Sequence, residues 1–325
     1  MASASSEQDA RAPKPKPKVI YVMGAGRSGS TILGVALGNC DGIFFAGELD
    51  KWLPRAGEPT LKDAARVAFW ERVRGRMSAP EVLVGAGPRR YLERSSALFR
   101  IDRIRALARL RAPYRAATSE LFAAIAATAE VGYVVDSSHY PLRAHELQSV
   151  ADIELYLVLL VRSPRSVIAS FARDDVAERR FNPLTTRIYL LLTYLLSTWV
   201  FRVQPPERRL VLFYEDLLAD PVGVLGELLA HVGSPAHVPD LGALATGVPL
   251  HGNRLLGAEV VALGDTSASA STSAWRRAEG STLAGGLDAR LFTHLLLACL
   301  SRLKPRIGAD RRPTRSVQDT ATVAR

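Results

Sequence analysis

A glycine-rich loop near the start of the chain is the first segment whose residues could do chemistry. The apolar run Val19–Met23 leads into Gly24-Ala25-Gly26-Arg27-Ser28-Gly29-Ser30-Thr31, and an apolar, helix-competent stretch follows at 32–37. Glycines let the backbone approach an anion closely, and the free amides at a helix N-terminus point toward it. The loop therefore predicts a binding site for a phosphate or sulfate group.

Two nucleotide-binding patterns fit this loop in part. Gly24 and Gly29 have the spacing of the phosphate loop GxxxxGK[ST], but Ser30 occupies the lysine position, which argues against a kinase or NTPase. The three loop glycines also satisfy the dinucleotide pattern GxGxxG, and Glu48 follows at the place of a ribose-binding carboxylate. An NAD(P)-dependent oxidoreductase is one open hypothesis, and a non-catalytic nucleotide-binding protein is another.

A second group of polar residues follows the apolar run Leu155–Val161. Arg162 comes directly after this run, and Ser170 stands eight residues later. Between them, Ser163-Pro164 is typical of a helix N-terminus. A generic junction of a strand, an arginine and a helix would also place Arg162 in a surface salt bridge or in contact with a carbonyl oxygen.

Five short apolar runs must position these polar segments. They are Val19–Met23, Gly42–Ala46, Gly132–Val135, Leu155–Val161 and Leu210–Tyr214. Such runs are typical of strands buried on both faces, and the segments between them have helical spacing, which predicts βαβ units and a parallel sheet. Ligands of such sheets bind beyond the carboxyl ends of the strands, which is where the polar segments fall.

The segment between the second and third runs is too long for a simple crossover. Its amphipathic patterns lie at 61–76, 98–111 and 116–129. We therefore predict a helical insertion over residues 51–130 that covers one edge of the site and serves as an acceptor or lid region.

The ends of the chain differ in composition from its middle. Residues 1–18 are polar and rich in proline and lysine, which predicts a disordered tail, and residues 306–325 form a second polar tail. A single domain is expected over 19–305. The apolar stretch 188–203 is interrupted by hydroxyl residues, so we expect a buried or pocket-lining helix there and no transmembrane segment.

The net charge and the cysteine content limit which ligands, partners and cellular compartment are expected. The formal net charge is +10 and comes mostly from arginine, which suits a polyanionic ligand. No helix-turn-helix, zinc-finger or RNA-binding pattern is evident, so no nucleic-acid partner is expected. Cys40 and Cys299 are the two cysteines of the sequence, which predicts no metal site, no disulfide framework and a reducing, cytoplasmic compartment.

Several of these segments resemble the sulfotransferases that use 3′-phosphoadenosine 5′-phosphosulfate (PAPS), in particular their bacterial branch. The segment Arg27–Thr31 with Ile32-Leu33 resembles the family's 5′-phosphosulfate loop, and Arg162 with Ser170 resembles its 3′-phosphate motif. The resemblance implies an α/β, P-loop-kinase-like three-layer fold, with a central parallel sheet of about five strands and a helical insertion after the second strand. It also implies PAPS as co-substrate and no metal.

The resemblance assigns a donor-binding role to eleven residues. They are Gly26, Arg27, Ser28, Gly29, Ser30 and Thr31 for the 5′-phosphosulfate, Arg162 and Ser170 for the 3′-phosphate, Tyr214 near the adenine, and Asn253 and Arg254 in a segment similar to the family's phosphate-closing loop. Their roles are what the resemblance implies for this chain.

Catalytic roles fall on three residues. Arg27 would stabilise the charge that develops on the bridging oxygen during sulfuryl transfer. Glu48 matches a Gly-Glu that supplies the general base in some branches of the family, and His139, which stands where many members carry lysine, is the alternative base. A purely structural ion pair of Glu48 with Arg27 or an insertion arginine is the competing interpretation. The acceptor hydroxyl could belong to a sugar, lipid, phenol, peptide tyrosine or other small molecule.

Overall fold

A five-stranded parallel sheet forms the centre of the protein. The computed structural model describes residues 15–51, 63–84, 86–171, 183–252 and 254–263. The strands are β1 Lys18–Gly24, β2 Ile43–Gly47, β3 Tyr133–His139, β4 Glu154–Val161 and β5 Arg209–Phe213. Their order in the sheet is β2-β3-β1-β4-β5, and every neighbouring pair is parallel. The predicted α/β fold with about five parallel strands is therefore confirmed.

Helices connect these strands. The α-helices are α1 Ser30–Gly38, α2 Ala64–Gly75, α3 Ala86–Pro88, α4 Arg103–Ala129, α5 Pro141–Leu147, α6 Pro164–Phe171, α7 Pro183–Val203, α8 Tyr214–Ala219 and α9 Pro221–His231. Short 3-10 helices lie at Leu49–Lys51, Pro80–Leu83, Ser95–Phe99, Pro206–Arg208 and Arg254–Gly257, and a π-helical turn lies at Arg89–Glu93. A small antiparallel pair, β6 Leu244–Ala245 with β7 Val260–Val261, was not predicted from the sequence.

Two apolar cores lie on opposite faces of the sheet. Alternate residues of β1 point to opposite sides, so Tyr21 joins a core built with α2, α4 and α7, whereas Ile20 and Val22 join one built with α1 and α9. Helices therefore cover both faces of the sheet. This arrangement leaves the carboxyl edge of the strands free to present loops.

Strand β3 is longer than its apolar pattern indicated. The prediction ended at Val135, whereas the strand continues through Asp136, Ser137 and Ser138 to His139. These polar residues can be buried because Asp136 accepts hydrogen bonds from Arg143 on α5. A polar strand end gives no period-2 apolar signal, so the sequence could not indicate this extension.

The described residues between β2 and β3, at 48–51, 63–84 and 86–132, are largely helical. The amphipathic patterns at 98–111 and 116–129 belong largely to one helix, α4, which continues through Pro113. Pro113 lies on an exposed face, and the buried residues Tyr114 and Leu121 hold the helix on the core beyond it. Tertiary packing thus overrides the local helix-breaking tendency of proline.

Helix α7 corrects one expectation about the apolar stretch 188–203. One side is buried, with Leu190 and Tyr194 fully inaccessible, but Ile188, Leu195 and Trp199 on the other side are exposed. In the part of the chain that the structure describes, no helix is both long enough and apolar enough to cross a membrane.

Candidate active site

The glycine-rich loop joins β1 to α1 at the carboxyl edge of the sheet. Gly29, at φ 98°, directly precedes Ser30, the first residue of α1. A Cβ atom at Gly29 would lie 2.3 Å from the ring of Tyr214, so both the backbone angle and the close approach require glycine. The Ser28 hydroxyl is buried and has no hydrogen-bond partner among the described residues. An orphaned hydroxyl beside a helix N-terminus fits an oxygen of a phosphate or sulfate group.

The loop contacts the polar junction that follows the neighbouring strand β4. Arg27 Nε donates a hydrogen bond to Ser170 Oγ at 3.1 Å. Arg162 Nη1 donates to the Arg27 carbonyl oxygen at 2.9 Å, and these two residues are 135 positions apart in the chain. Arg162 Nε is buried and, within the described residues, has no partner. The structure thus brings Arg27, Arg162 and Ser170 into one polar arrangement at the carboxyl edge of the sheet.

Tyr214 lies beside this arrangement. It is the first residue of α8, and its ring centroid is 4.5 Å from the Arg162 guanidinium carbon. The next residue, Glu215, accepts a hydrogen bond from the backbone amide of Ser163 at 2.9 Å. The segment after β5 therefore holds the β4 to α6 junction in place.

Tyr189 on α7 is a site residue that the sequence did not indicate. Its hydroxyl accepts a hydrogen bond from the Gly26 amide at 2.8 Å, and its ring meets Phe171 edge-on. A tyrosine inside a long apolar helix carries no signal of such a contact. Glu215, by contrast, directly follows Tyr214, which the sequence did indicate. Its position next to a predicted site residue is the signal that could have identified it.

Backbone strain marks two positions of the site. In the described part of the chain, the non-glycine residues with positive φ are Arg27 (68°), His139 (57°) and Glu130 (57°). Glu130 ends α4, where a left-handed residue is common. Arg27 and His139 lie at the carboxyl edge instead, and such strain costs about 1–3 kcal/mol and clusters at functional sites.

The late segment around His251 contacts the end of β2. The Glu48 amide donates to the His251 carbonyl at 2.7 Å. A Cβ atom at Gly47 would lie 2.3 Å from that carbonyl, and one at Gly252 would lie 3.3 Å from Cγ2 of Thr31. The segment therefore bridges the turn that carries Glu48 and the first turn of α1.

The charge state of Glu48 suits a base. Burial raises the pKa of Glu48, but its polar contact with His251 and the positive fields of His139 and Lys51 outweigh burial, so the pKa falls below its usual value. The Glu48 Oε2 atom lies 3.5 Å from His251 Nδ1 and 3.8 Å from Lys51 Nζ. Within the described residues, Glu48 thus forms its ion pairs with His251 and Lys51. Arg27 contacts Ser170 instead. An ionised carboxylate is what a general base requires.

His139 lies between the two parts of the site. It ends β3, and its register partner on β1 is Met23, immediately before the glycine-rich loop. Its ring contacts the Tyr140 ring in a tilted arrangement, with centroids 4.4 Å apart. Since its charge lowers the pKa of Glu48, it stands close to the other candidate base.

A buried cluster of charged and polar groups supports the Glu48 turn. We call it the ionic cluster, and it consists of Glu93, Tyr114, Asp136, Ser138 and Arg143. Arg143 is only 2% exposed and bonds to both Asp136 and Glu93. Ser138 Oγ accepts a hydrogen bond from the Asp50 amide at 3.1 Å, two residues after Glu48. The ionic cluster therefore fixes the backbone that carries the candidate base.

The remaining predicted residues are placed as follows. Arg254 begins the 3-10 helix beyond the His251 segment, whereas Asn253 and Cys299 lie outside the described residues.

Burial, with the neighbouring Asp41 charge, raises the pKa of the Cys40 thiol to about 11. No group of three His, Cys, Asp or Glu within the described ranges has a geometry that could hold a metal ion.

The fold is a parallel α/β sheet whose first strand leads through a glycine-rich loop into the N-terminus of a helix. The sequence profile of the Sulfotransferase family matches residues 17–239, which is more than half of the chain, and the chain belongs to this family. No curated protein gives a significant sequence match.

Two solved structures are similar in fold. One is the sulfotransferase domain from the curacin biosynthetic pathway, at 18% identity and a TM-score of 0.53, covering 90% of this chain and 100% of that one. The other is the sulfotransferase domain from the Synechococcus PCC 7002 olefin synthase, at 22% identity and a TM-score of 0.50, covering 90% and 96%. Both similarities support the fold of this chain.

Proposed function

We propose that this sulfotransferase family member moves a sulfuryl group from PAPS to an acceptor hydroxyl by in-line transfer. The observation that carries the proposal is the contact between the two anion-binding segments: Arg27 bonds to Ser170, and Arg162 bonds to the Arg27 carbonyl. A donor with phosphate groups at both the 5′ and 3′ positions needs two such anion sites side by side.

Each side chain has a role in this proposal. The donor, when bound, supplies the sulfuryl group at the loop. The loop amides with Ser28, Ser30 and Thr31 hold the 5′ end, and Arg162 with Ser170 holds the 3′-phosphate. Arg27 stabilises negative charge on the bridging oxygen, where a fixed cation is effective because it needs no reorganisation.

Proton removal is assigned to Glu48. Its lowered pKa keeps it ionised at neutral pH, and His251 and the ionic cluster hold its position. His139 is the alternative base, since it ends the neighbouring strand β3 and an imidazole is a common general base. Either residue would accept the hydroxyl proton as sulfur is attacked.

The dinucleotide hypothesis loses support from the strand order. In dinucleotide-binding folds the strand whose end carries the ribose-binding carboxylate lies next to the first strand. Here β3 separates β2 from β1, so Glu48 does not follow the strand adjacent to the glycine-rich loop. The loop glycines alone therefore do not support an NAD(P)-dependent oxidoreductase.

The proposal gives the chemical class of the acceptor but does not name one compound. A sugar, lipid, phenol or other small-molecule hydroxyl fits the chemistry, and residues 51–130 form the expected acceptor region. A cytoplasmic location, the absence of a nucleic-acid partner and independence from metal are parts of the same proposal.

Calorimetry on the full chain tests donor binding. We expect 3′,5′-adenosine bisphosphate to bind, and NAD and ATP to bind much more weakly. Arg162→Ala should weaken bisphosphate binding by about 10-fold or more, because a charge-assisted contact to phosphate is lost. Arg165→Ala is the matched control, since Arg165 is an exposed arginine three residues further along. Preferential NAD binding, or an unchanged affinity in Arg162→Ala, would overturn the proposal.

Turnover must be tested separately from binding. Incubation with PAPS labelled in the sulfate group and a panel of sugar, lipid and phenol acceptors should yield a labelled product. If bisphosphate binds and no acceptor in an extract becomes labelled, the protein is a nucleotide-binding protein without catalytic activity.

A further inference from the structure

Large apolar side chains are exposed mainly on two segments. Of the ten that are exposed among the described residues, eight lie there, and the other two are Val222 and Val260. The eight, which we call the apolar patch, are Leu98, Phe99, Ile101, Ile104, Ile188, Leu195, Trp199 and Val203. Ile101 is fully exposed, and Ile104 and Phe99 are 82% and 75% exposed. Such a concentration of exposed apolar groups marks an interaction surface.

The two segments adjoin in the fold. The 3-10 helix Ser95–Phe99 packs against α7, which carries the second half of the apolar patch. On α7, Ile188, Leu195 and Trp199 are spaced seven and four residues apart, so they share one helix face. The two segments are therefore neighbours in the fold, and the exposed residues of α7 share one face of that helix.

Positive charge surrounds the first segment. Residues 89–115 contain nine arginines and two acidic residues, Glu93 and Asp102. Arg105 and Arg109 are exposed on α4 beside Ile104. Exposed isoleucines and phenylalanine among arginines match the composition of an interfacial, membrane-binding surface.

Arg103 adds charge that is not fully compensated. Its Nε atom has no hydrogen-bond partner among the described residues. Burial and repulsion by the neighbouring Arg111 charge lower the pKa of the Arg103 guanidinium, and the Glu146 carboxylate offsets them only in part. An anionic group placed here would relieve that repulsion.

We infer that the apolar patch and the arginines of residues 89–115 dock the protein onto the surface of an anionic lipid bilayer. The apolar side chains enter the interface, while the arginines contact lipid phosphates. A second copy of the chain fits less well, because a two-fold interface would bring the same arginines face to face. The inference does not depend on the proposed function.

The docking surface adjoins the active site. Arg89 lies 3.4 Å from Asp50, two residues after Glu48. Arg94 lies over the ring of Tyr140, the neighbour of His139. The start of the arginine-rich stretch 89–115 therefore lies near the turn that carries Glu48 and near the end of β3.

Vesicle flotation with the full chain tests the inference. We expect binding to vesicles that contain phosphatidylglycerol, weak binding to phosphatidylcholine alone, and release by salt. Arg105→Ala with Arg109→Ala should lower the partition coefficient by roughly 30-fold, since each basic residue near the surface contributes about a 5-fold increase. Ile101→Glu with Ile104→Glu should abolish binding. Val222→Glu with Val260→Glu is the matched control and should bind normally.

Two results would overturn the inference. One is a failure of the unmodified protein to bind anionic vesicles, which is also the result expected if another part of this chain covers the apolar patch. The other is a dimer, measured by light scattering, that the Ile101 and Ile104 substitutions convert to a monomer without loss of vesicle binding. Bisphosphate calorimetry on the same variants should be unchanged, so failure here is distinguishable from failure of the proposed function.

Discussion

The two sides of the active site are built differently. The donor side consists of the loop Gly24–Thr31 and the β4 to α6 junction, two contiguous segments that meet because β1 and β4 are neighbours. The base side consists of Glu48, His139 and His251, which lie on three separate segments above the ionic cluster. The donor side is thus encoded by local motifs, and the base side by distant contacts.

This difference has an energetic consequence. On the proposed donor side, Ser28 Oγ and Arg162 Nε are buried and have no hydrogen-bond partner among the residues that the structure describes. The base side rests on buried charges that must remain paired, because an unpaired buried charge is strongly destabilising. Substitutions on the base side should therefore affect stability as well as activity, whereas those on the donor side should mainly affect binding.

The largest expected effect comes from breaking the ionic cluster. Arg143→Met leaves Asp136 and Glu93 buried without their cation, so we expect the free energy of unfolding to fall by about 3–5 kcal/mol. Urea denaturation measures this change. Arg109→Met, on the exposed face of α4, should change it by less than about 0.5 kcal/mol. Equal effects of the two substitutions would contradict the contrast between the two sides.

The next effect concerns the base itself. Glu48→Gln removes the carboxylate while preserving its shape, so kcat should fall by about 10²-fold or more with unchanged bisphosphate affinity. Steady-state kinetics with labelled PAPS and calorimetry give the two quantities. Glu71→Gln, on the exposed face of α2, is the control. If His139→Ala abolishes turnover and Glu48→Gln does not, His139 is the base.

A glycine pair tests the donor side. Gly29→Ala combines left-handed strain with a clash against Tyr214, whereas Gly42→Ala carries similar strain at φ 73° with no atom within 4 Å. Both should lose about 1 kcal/mol of stability from strain. Gly29→Ala alone should weaken bisphosphate binding, by about 10-fold or more. Equal binding by both variants would show that the Tyr214 contact is unimportant.

The smallest effect is a shift in pH dependence. The folded-state pKa of Glu48 is depressed, so activity that needs its ionised form persists as pH falls and is lost only as pH drops through that lowered pKa. His251→Ala removes one stabilising contact, so the acid limb of kcat/KM should move to higher pH, by about one unit or less. His237→Ala, at an exposed position, should leave the limb unchanged. A shift to lower pH would contradict the proposed coupling.

The sequence predictions were accurate where a feature depends on local motifs and missed features that depend on distant contacts. All five strands were predicted because each is a short apolar run that is visible in the local sequence. A strand that is buried on both faces requires apolar residues at nearly every position. The polar end of β3 was missed, since its burial depends on Arg143 from α5. The continuity of α4 through Pro113 was missed for a similar reason, because packing beyond the proline holds the helix together.

By itself, the sequence determined the parallel sheet, and it singled out the glycine-rich loop, Arg162 and Ser170 as candidate site residues. Each of these depends on residues close together in the chain, whose backbone preferences and charge act locally. Only the tertiary structure decided that His251 meets Glu48, that Tyr189 bonds to Gly26, and that one face of α7 is exposed. These contacts join residues far apart in the chain, and their energies depend on burial that no local pattern records.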